Sequence, residues 1–340
     1  MISYLTRLIF ITCLLLGLAC SDDNPLGPSP EAIGWVKQNS PVENGLSSVD
    51  FIDSLTGWVV GGNGVILCTK NGGANWYEQQ SGTNITLWDV DFIDNLKGWA
   101  VGYNGTILYT NDGGKKWVTQ NSRTSSRLLD VTFLDSQIGW IAGWYNSVFL
   151  RTTDGGQHWI KDTIGNIERL SNLTIVDERN GLAVFDLGKV ISSNDGGSSW
   201  TVLSETPTEL IWGMSFLNEE YGLIVSTSYE TFDGRTNTYD KVFETSNAGQ
   251  NWSLIYRSIG GTMVSGKVFF NDRTSIFVVG DLYIQRSSDG GLSWTKQYGN
   301  SHSRLRDAAF VSSDVGWAVG NNGLILHTTN GGVAPPVVSE

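Results

Sequence analysis

The chain has little with which to do chemistry. Only three cysteines occur in 340 residues. Cys13 lies inside an apolar leader and Cys20 ends it, so Cys68 alone falls in the remainder. An exported protein so arranged is expected to have no internal disulfide and to rely on its core. The three histidines, His158, His302 and His327, are scattered, with no metal-ligand spacing and no Ser/His/Asp arrangement. No catalytic, cofactor-binding or metal residue is assigned, and no cofactor is expected. Charged residues are scarce at 16%, and the net charge of −12 is spread without long acidic runs. Phosphate binding needs clustered Lys/Arg, so the composition argues against a nucleic-acid partner.

Glycine (41) and tryptophan (14) are what the chain has in quantity. Many short strands need many turns, and glycine supplies them. The octet "TNDGGKKW" at Thr110 returns as "TTDGGQHW" at Thr152, "SNDGGSSW" at Ser193 and "SSDGGLSW" at Ser287. Looser copies are "TKNGGANW" at Thr69, "TSNAGQNW" at Thr245 and a truncated "TTNGG" at Thr328. The closing tryptophans, Trp76, Trp117, Trp159, Trp200, Trp252 and Trp294, are 41, 42, 41, 52 and 42 residues apart. That period is the length of a propeller blade.

Each unit reads as four short strands. An alternating strand such as "LWDVDFID" comes first, then "GWAVG", then a strand leading into the octet such as "GTILYT", then one opening at the tryptophan, "WVTQNS". The last octet has no tryptophan, but Trp35 stands 41 residues before Trp76, in phase. Residues 35–40 are therefore expected to complete the blade begun at Leu305, which removes an exposed sheet edge. The count is seven blades in an all-β propeller of four-stranded antiparallel sheets. The 52-residue step places about 11 extra residues in blade 5, between its second and third strands, in "TSYETFDGRTNTYD". Such loops share a face with the blade-to-blade connections, and the octets lie on the other.

The octet is read as a builder. Asp112, Asp154, Asp195 and Asp289 are placed to accept backbone N–H groups of their own turn, the glycines permit positive φ, and the tryptophan packs between sheets. The pattern Ser/Thr-x-Asp-x-Gly-x-x-Trp resembles the Asp-box, or BNR repeat, over nearly the whole mature chain. Sialidases share the box but carry an arginine triad and an Arg-Ile-Pro motif, which is absent here. Xyloglucanase-type glycosidases use two propellers, and sortilin-like receptors have ten blades. Residues 127–159, "RLLDVTFLDSQIGWIAGWYNSVFLRTTDGGQHW", resemble the repeats of the photosystem II stability/assembly factor family. That resemblance implies a seven-bladed propeller that assists assembly of a membrane complex, and an arginine patch on one face. Arg127, Arg169 and Arg304 stand at equivalent positions before first strands, with Arg306 nearby; the other blades have Gly45, Thr86, Leu210 and Met263 there.

Aromatics are expected on the same face: Trp88 and Trp212 at the starts of first strands, Tyr103, Trp144 and Tyr145 in loops, and Tyr229, Phe232 and Tyr239 in the insertion. Exposed, they would hold a protein hot spot or stack on sugars; buried, they would fill the end of the channel. The expected function is a non-enzymatic binding or assembly scaffold, monomeric, with a protein partner or envelope glycan. The alternative is a glycan-active Asp-box protein, for which Glu168, Glu209, Glu230 and Asp233 are the candidate carboxylates, with no recognisable pair.

The leader, residues 1–20, has one basic residue, Arg7, and an apolar run from Leu8 to Leu18, too short to span a bilayer comfortably. Its end, Leu-Ala-Cys, resembles the lipobox of bacterial lipoproteins, with Gly17 where leucine is usual. That resemblance implies lipidation of Cys20, membrane contact through the lipid only, and an outer-membrane, cell-surface or periplasmic location. Residues 21–33 read as a flexible tether, 34–334 as the propeller and 335–340 as a tail.

Overall fold

Each octet satisfies its own polar groups. In the computed structural model the Thr110 hydroxyl donates to Asp112 Oδ1 (2.9 Å) and accepts from Gly114 N (2.9 Å). Lys116 N donates to the same Oδ1 (3.0 Å). Gly113 and Gly114 are both left-handed, at φ 72° and 84°, which glycine alone adopts at no steric cost. Asp154, Asp195 and Asp289 make the same bonds, and Asn71, Asn247 and Asn330 keep the hydroxyl contact as amides. The turn then sits on the loop between the first two strands of its own blade: Gly113 N donates to Leu96 O (2.8 Å) and Gly155 N to Gln137 O (2.9 Å).

The structure describes residues 34–143, 148–163, 170–175, 177–185, 188–205, 210–259, 266–270, 272–299 and 304–333. These form seven four-stranded antiparallel sheets, with the first strand of each at one edge. The first strands of successive sheets contact one another all the way round, from Leu46–Phe51 in blade 1 to Leu305–Phe310 in blade 7 and back. The all-β, seven-bladed propeller expected from the period is the fold. Its last sheet runs from Leu305–Phe310 through Gly316–Gly320 and Ile325–Thr328 to the N-terminal strand Val36–Lys37. Pairing there is short, Val36 with His327 and Lys37 with Leu326, extended by Gln38 N to Ile325 O (2.8 Å).

Aromatic triads join the blades. Trp58 of blade 1 stacks on Phe92 of blade 2 (3.5 Å between centroids), and Phe92 meets the octet Trp117 edge-on (5.8 Å, 89°). The same triad recurs as Trp99–Phe133–Trp159 and as Trp317–Phe51–Trp76 across the closure. Offset-stacked and edge-to-face contacts of this kind are favourable beyond the area they bury. They also explain the glycine before each second-strand tryptophan: a Cβ on Gly98 would lie 2.6 Å from the Phe92 ring.

A glutamine locks three of the interfaces. Gln79, three residues after Trp76, donates to Gly113 O (2.8 Å) and accepts from Trp117 Nε1 (3.3 Å) in the next blade. Gln38 and Gln120 do the same for Trp76 and Trp159. Blades 4 and 5 have Leu203 and Ile255 at that position. Trp294 turns instead to its own Gly291 O (3.0 Å), and Trp252 Nε1 is buried with no hydrogen-bond partner among the described residues. Restoring the lock with Leu203→Gln should therefore stabilise the protein by about 1 kcal/mol, read as a raised urea midpoint at unchanged slope.

One expectation is corrected. Cys68 is buried in the blade 1–blade 2 core and is disulfide-bonded, its partner lying outside the described residues. The cysteine count had set both other cysteines aside as parts of the leader.

The insertion in blade 5 is a long hairpin of Gly222–Phe232 and Arg235–Thr245, turning at Asp233 (φ 52°) and Gly234 (φ 72°).

Candidate protein-binding face

In six of the seven first strands the pairing register slips by one residue near the start, leaving a bulge. The bulged residues include Trp88, Trp212 and Arg306, each on the side of the ring away from the octets. Bulges re-aim side chains, and here they turn residues of the innermost strand toward the mouth of the ring. Ser47 occupies the bulge of blade 1, between Arg306 of blade 7 and Trp88 of blade 2. It is small enough for Arg306 to reach across it, and the guanidinium lies 5.7 Å from the centre of the Trp88 ring. Arg306 Nε also donates to Asn321 Oδ1 (3.0 Å).

Trp88 meets Tyr103 edge-on at 5.5 Å, and the Arg127 guanidinium lies 4.6 Å over Tyr103. Arg306, Trp88, Tyr103 and Arg127 thus form one continuous cation–aromatic row over blades 7, 1, 2 and 3. Both arginines are exposed and both aromatics half-buried. Cation–π contacts at such sites are worth about 0.5–1 kcal/mol each, and they hold the guanidiniums in place without neutralising them. Beside the row an open groove of about 550 Å³ is lined by Asn84, Ile85, Thr86, Tyr103, Asn104, Ser125, Ser126 and Arg127. Among the described residues that line it, Arg127 alone is charged.

The other candidates are placed differently. Arg304 is exposed at the same mouth, where its carbonyl accepts from Asn321 N (2.8 Å). Trp212 is half-buried, with its indole N–H given to Thr227 Oγ1 (2.9 Å). Arg169, Trp144 and Tyr145 lie outside the described residues, as do Cys20, Glu168, Glu209 and His302. Glu230 does not pair with Asp233. It is held by Lys241 Nζ (2.9 Å) and Arg257 Nη2 (2.6 Å), and the Lys241 hydrogen bond leads in holding its carboxyl below the usual range. His158 bonds Asp154 on the octet face (2.7 Å). His327 stacks on Trp317 (4.7 Å), and burial lowers its pKa to about 4. Among the described residues no group of three His, Cys, Asp or Glu is arranged to hold a metal ion.

Sequence reasoning missed a second ring of chemistry. The first strands carry Asp50, Asp89, Asp91, Asp130 and Asp307 around the ring axis, with Lys267 among them. Each carboxylate stitches its blade to the next: Asp50 accepts from Phe92 N (2.8 Å), Asp89 from Val131 N (2.8 Å), Asp91 from Phe133 N (2.7 Å), and Asp307 from Val49 N (3.2 Å). Lys267 Nζ lies 2.9 Å from Asp307 Oδ1. Desolvation, the largest cause, raises Asp50 and Asp130 to about 7, and raises Asp89 and Asp91 as well. The attraction of Asp307, then Asp89 and Asp130, outweighs burial at Lys267 and raises its pKa. Every one of these aspartates sits on a first strand that reads as plainly alternating, as in "LWDVDFID". The signal was the aspartate on successive polar positions of a strand that closure makes innermost.

A family model described as photosynthesis system II assembly factor YCF48 matches residues 76–159 and 118–267. The chain belongs to this family. Among curated proteins, none matches it by sequence. A solved structure, "YCF48 bound to D1 peptide", is 21% identical, with a TM-score of 0.70 over 90% of this chain and all of that one. YCF48 from Cyanidioschyzon merolae is 19% identical, with a TM-score of 0.68 over 87% of this chain and 98% of that one. An ancestral GH74 enzyme superposes at 0.65 and 12% identity, and this chain spans 46% of it. Likeness at these identities carries the fold alone; the family rests on the sequence model.

Proposed function

We propose that this member of the YCF48 family is a non-enzymatic scaffold that grips a segment of a partner protein on the loop face opposite its octets. The observation that carries the reading is the row Arg306–Trp88–Tyr103–Arg127 beside the open groove. Two fixed guanidiniums separated by flat apolar rings suit an acidic or C-terminal segment with apolar side chains between its charges. A relative of the same fold is known bound to a D1 peptide, which supports a peptide as the ligand class. Glycoside hydrolysis needs two free carboxyl groups about 5–10 Å apart across a cleft. Glu230 is doubly ion-paired, and the axial aspartates named above accept backbone amides.

The test compares wild type with Arg127→Ala/Arg306→Ala for capture of proteins from native envelope membranes. A membrane protein lost at least tenfold from the variant, an order set by two charge-assisted contacts, supports the scaffold reading. Retention of envelope polysaccharide by both forms, with no protein captured, would replace it by a glycan ligand on Trp88 and Tyr103.

The reading includes tethering by a lipid on Cys20, in the outer membrane or at the cell surface; no helix among the described residues is long and apolar enough to cross a membrane. The mass of the N-terminal peptide of the mature protein decides it, since lipidation adds acyl chains and consumes the Cys20 thiol. Lipidation at Cys20 and removal of the leader with Cys13 would leave Cys68 no partner in its own chain, so the same spectra before and after reduction show whether the mature protein carries the lipid or the disulfide.

A further inference from the structure

The chain enters the ring on the octet face. The N-terminal strand is the fourth of blade 7, and fourth strands begin at the octets. Gly34 N accordingly donates to Asn330 Oδ1 (3.3 Å), inside the octet of blade 7. Gln38, four residues on, already bonds Gly72 O in the octet of blade 1 (2.8 Å). Whatever precedes Gly34 therefore departs from this face, beside blades 7 and 1. Residues 21–33 separate that point from Cys20, a reach of about 45 Å at full extension.

The octet face is not uniform. Its exposed large apolar side chains are Leu292, Val333, Leu55, Leu96 and Leu134, on blades 6, 7, 1, 2 and 3. Across the ring, the turns between the first two strands of blades 4 and 5 expose Glu178, Arg179, Glu219 and Glu220 instead. Leu55 and Leu96 are not needed to build their turns. Asp53 and Asp94 each accept two N–H groups of the turn (2.7 Å), and the leucine gives only its carbonyl to the octet glycine. Gln137, Arg179, Thr274 and Asp314 supply the same carbonyl in blades 3, 4, 6 and 7. A carbonyl does not select a leucine, so the two exposed leucines call for another reason.

Charge varies in step. Blade 2 places Lys97, half-buried, and Lys115 and Lys116, both exposed, beside the leucines. Among the described residues none of the three has an ion-pair partner. The carboxylates near them, Asp53, Asp94 and Asp112, accept N–H groups of their own turns. In blades 7 and 1, where the chain enters, the octet aspartate is replaced by Asn330 and Asn71, which keep the turn without its charge.

We infer that the octet-face sector of blades 7, 1 and 2 rests on the surface of an anionic lipid bilayer. Leu55, Leu96 and Val333 enter the headgroup layer and the lysines face its phosphates, the division of labour of an interfacial amphipathic surface. Charge selects both occupant and tilt. The glutamates of blades 4 and 5 are repelled by the same surface, so the ring leans onto the side where its chain enters. A second copy seated on this sector would set Lys115 and Lys116 against their own kind. The contact goes beyond the scaffold reading, and it adds to the tether on Cys20 without depending on it. It also turns the arginine row away from the bilayer, so that a gripped segment arrives from the far side of the ring.

The test uses the mature protein and its Leu55→Gln/Leu96→Gln variant, glutamine being what blade 3 has at this corner as Gln137. Each is mixed with vesicles of phosphatidylethanolamine and phosphatidylglycerol, floated on a density gradient, and acetylated at lysine before and after the vesicles are dissolved in an uncharged detergent. Mass spectrometry gives the rate at each lysine. On vesicles Lys97, Lys115 and Lys116 should react at least about tenfold more slowly than in detergent, the order expected of lysines held at an anionic surface. Lys189, at the opposite face, and Lys296, on the outer strand of blade 6, should be unchanged. High salt and the leucine variant should each restore the fast rates, with melting curves showing the variant ring intact. A protein that floats with every lysine as reactive as in detergent keeps the anchor and overturns the contact. One that floats and is protected, yet has no lipid on its N-terminal peptide, keeps the contact and removes the tether. Failure to float overturns both. Slow labelling that appears without vesicles as protein concentration rises overturns the contact in favour of a face between copies.

Discussion

Trp117→Ala should lower stability by about 3–5 kcal/mol, the range for emptying a buried large aromatic. The indole is 8% exposed. It closes the blade 1–blade 2 interface from two directions, lying edge-on to Phe92 and donating to Gln79. Alanine leaves a void against Phe92, and it leaves Gln79 Oε1 without its indole donor. The effect should not stay local, because Phe92 is stacked on Trp58 of the preceding blade. Gln79→Ala, which removes the acceptor and spares the ring, should cost about 1–2 kcal/mol and show how much of the loss is polar. Urea melts of both variants check the pair. A Trp117→Ala curve superimposed on wild type would refute the packing role.

The second large effect concerns the axis and depends on pH. Asp50 and Asp130 are raised to about 7 in the fold, from an ordinary 3.8, chiefly by burial, with Asp89 and Asp91 also raised. A group with a raised folded pKa contributes its stability below its unfolded pKa and loses it as pH climbs through the folded value. The protein should therefore be more stable near pH 5 than near pH 8, by about 2 kcal/mol once partial exposure to the axial space is allowed for. Lys267 opposes the loss, because it is charged throughout this range and faces Asp307, Asp89 and Asp130. Lys267→Met should cost about 2 kcal/mol at pH 8. This is below the figure for a sealed ion pair because the side chain is 41% exposed. At pH 5, where protons replace the lysine, the same substitution should cost well under half of that. Thermal melts of both proteins at the two pH values give the four numbers. A penalty independent of pH would mean that Lys267 acts through packing.

The octets, the period and the phase of Trp35 made the ring legible before any coordinates, because each is a local pattern repeated in the sequence. Gln79 and the axial aspartates were not legible for a shared reason. Asp89 and Asp91 alternate with Val90 and Phe92 as on any half-solvated strand, and only ring closure turns that polar side against Val131 and Phe133 of the next blade. Likewise Gln79 looks like a surface residue until the next octet is brought above it. The site divides the same way. Arg127, Arg306 and Trp88 were placed on one face by strand phase. That Arg306 reaches Trp88 depends on Ser47 between them and on the bulge at each of the three positions, which no single repeat displays. The hairpin was read as extra loop; its strand character came from pairing of residues 222–232 with 235–245 that the count of inserted residues did not reveal.

The short N-terminal strand sets the order of events in time. Val36 and Lys37 are among the first residues of the ring to leave the ribosome, yet their partners are His327 and Leu326, and Gly34 N bonds Asn330 Oδ1 across 296 positions. Trp317 reaches Gly72 O across 245. No earlier blade can substitute for the last one, so the ring stays open, with a bare edge on blade 7, until synthesis is almost finished. Contacts this remote slow folding, because the loop must close before they are rewarded. The unclosed chain is then the vulnerable species, and the rate of its last step, more than the strength of any one blade, governs how long that edge is available to other chains.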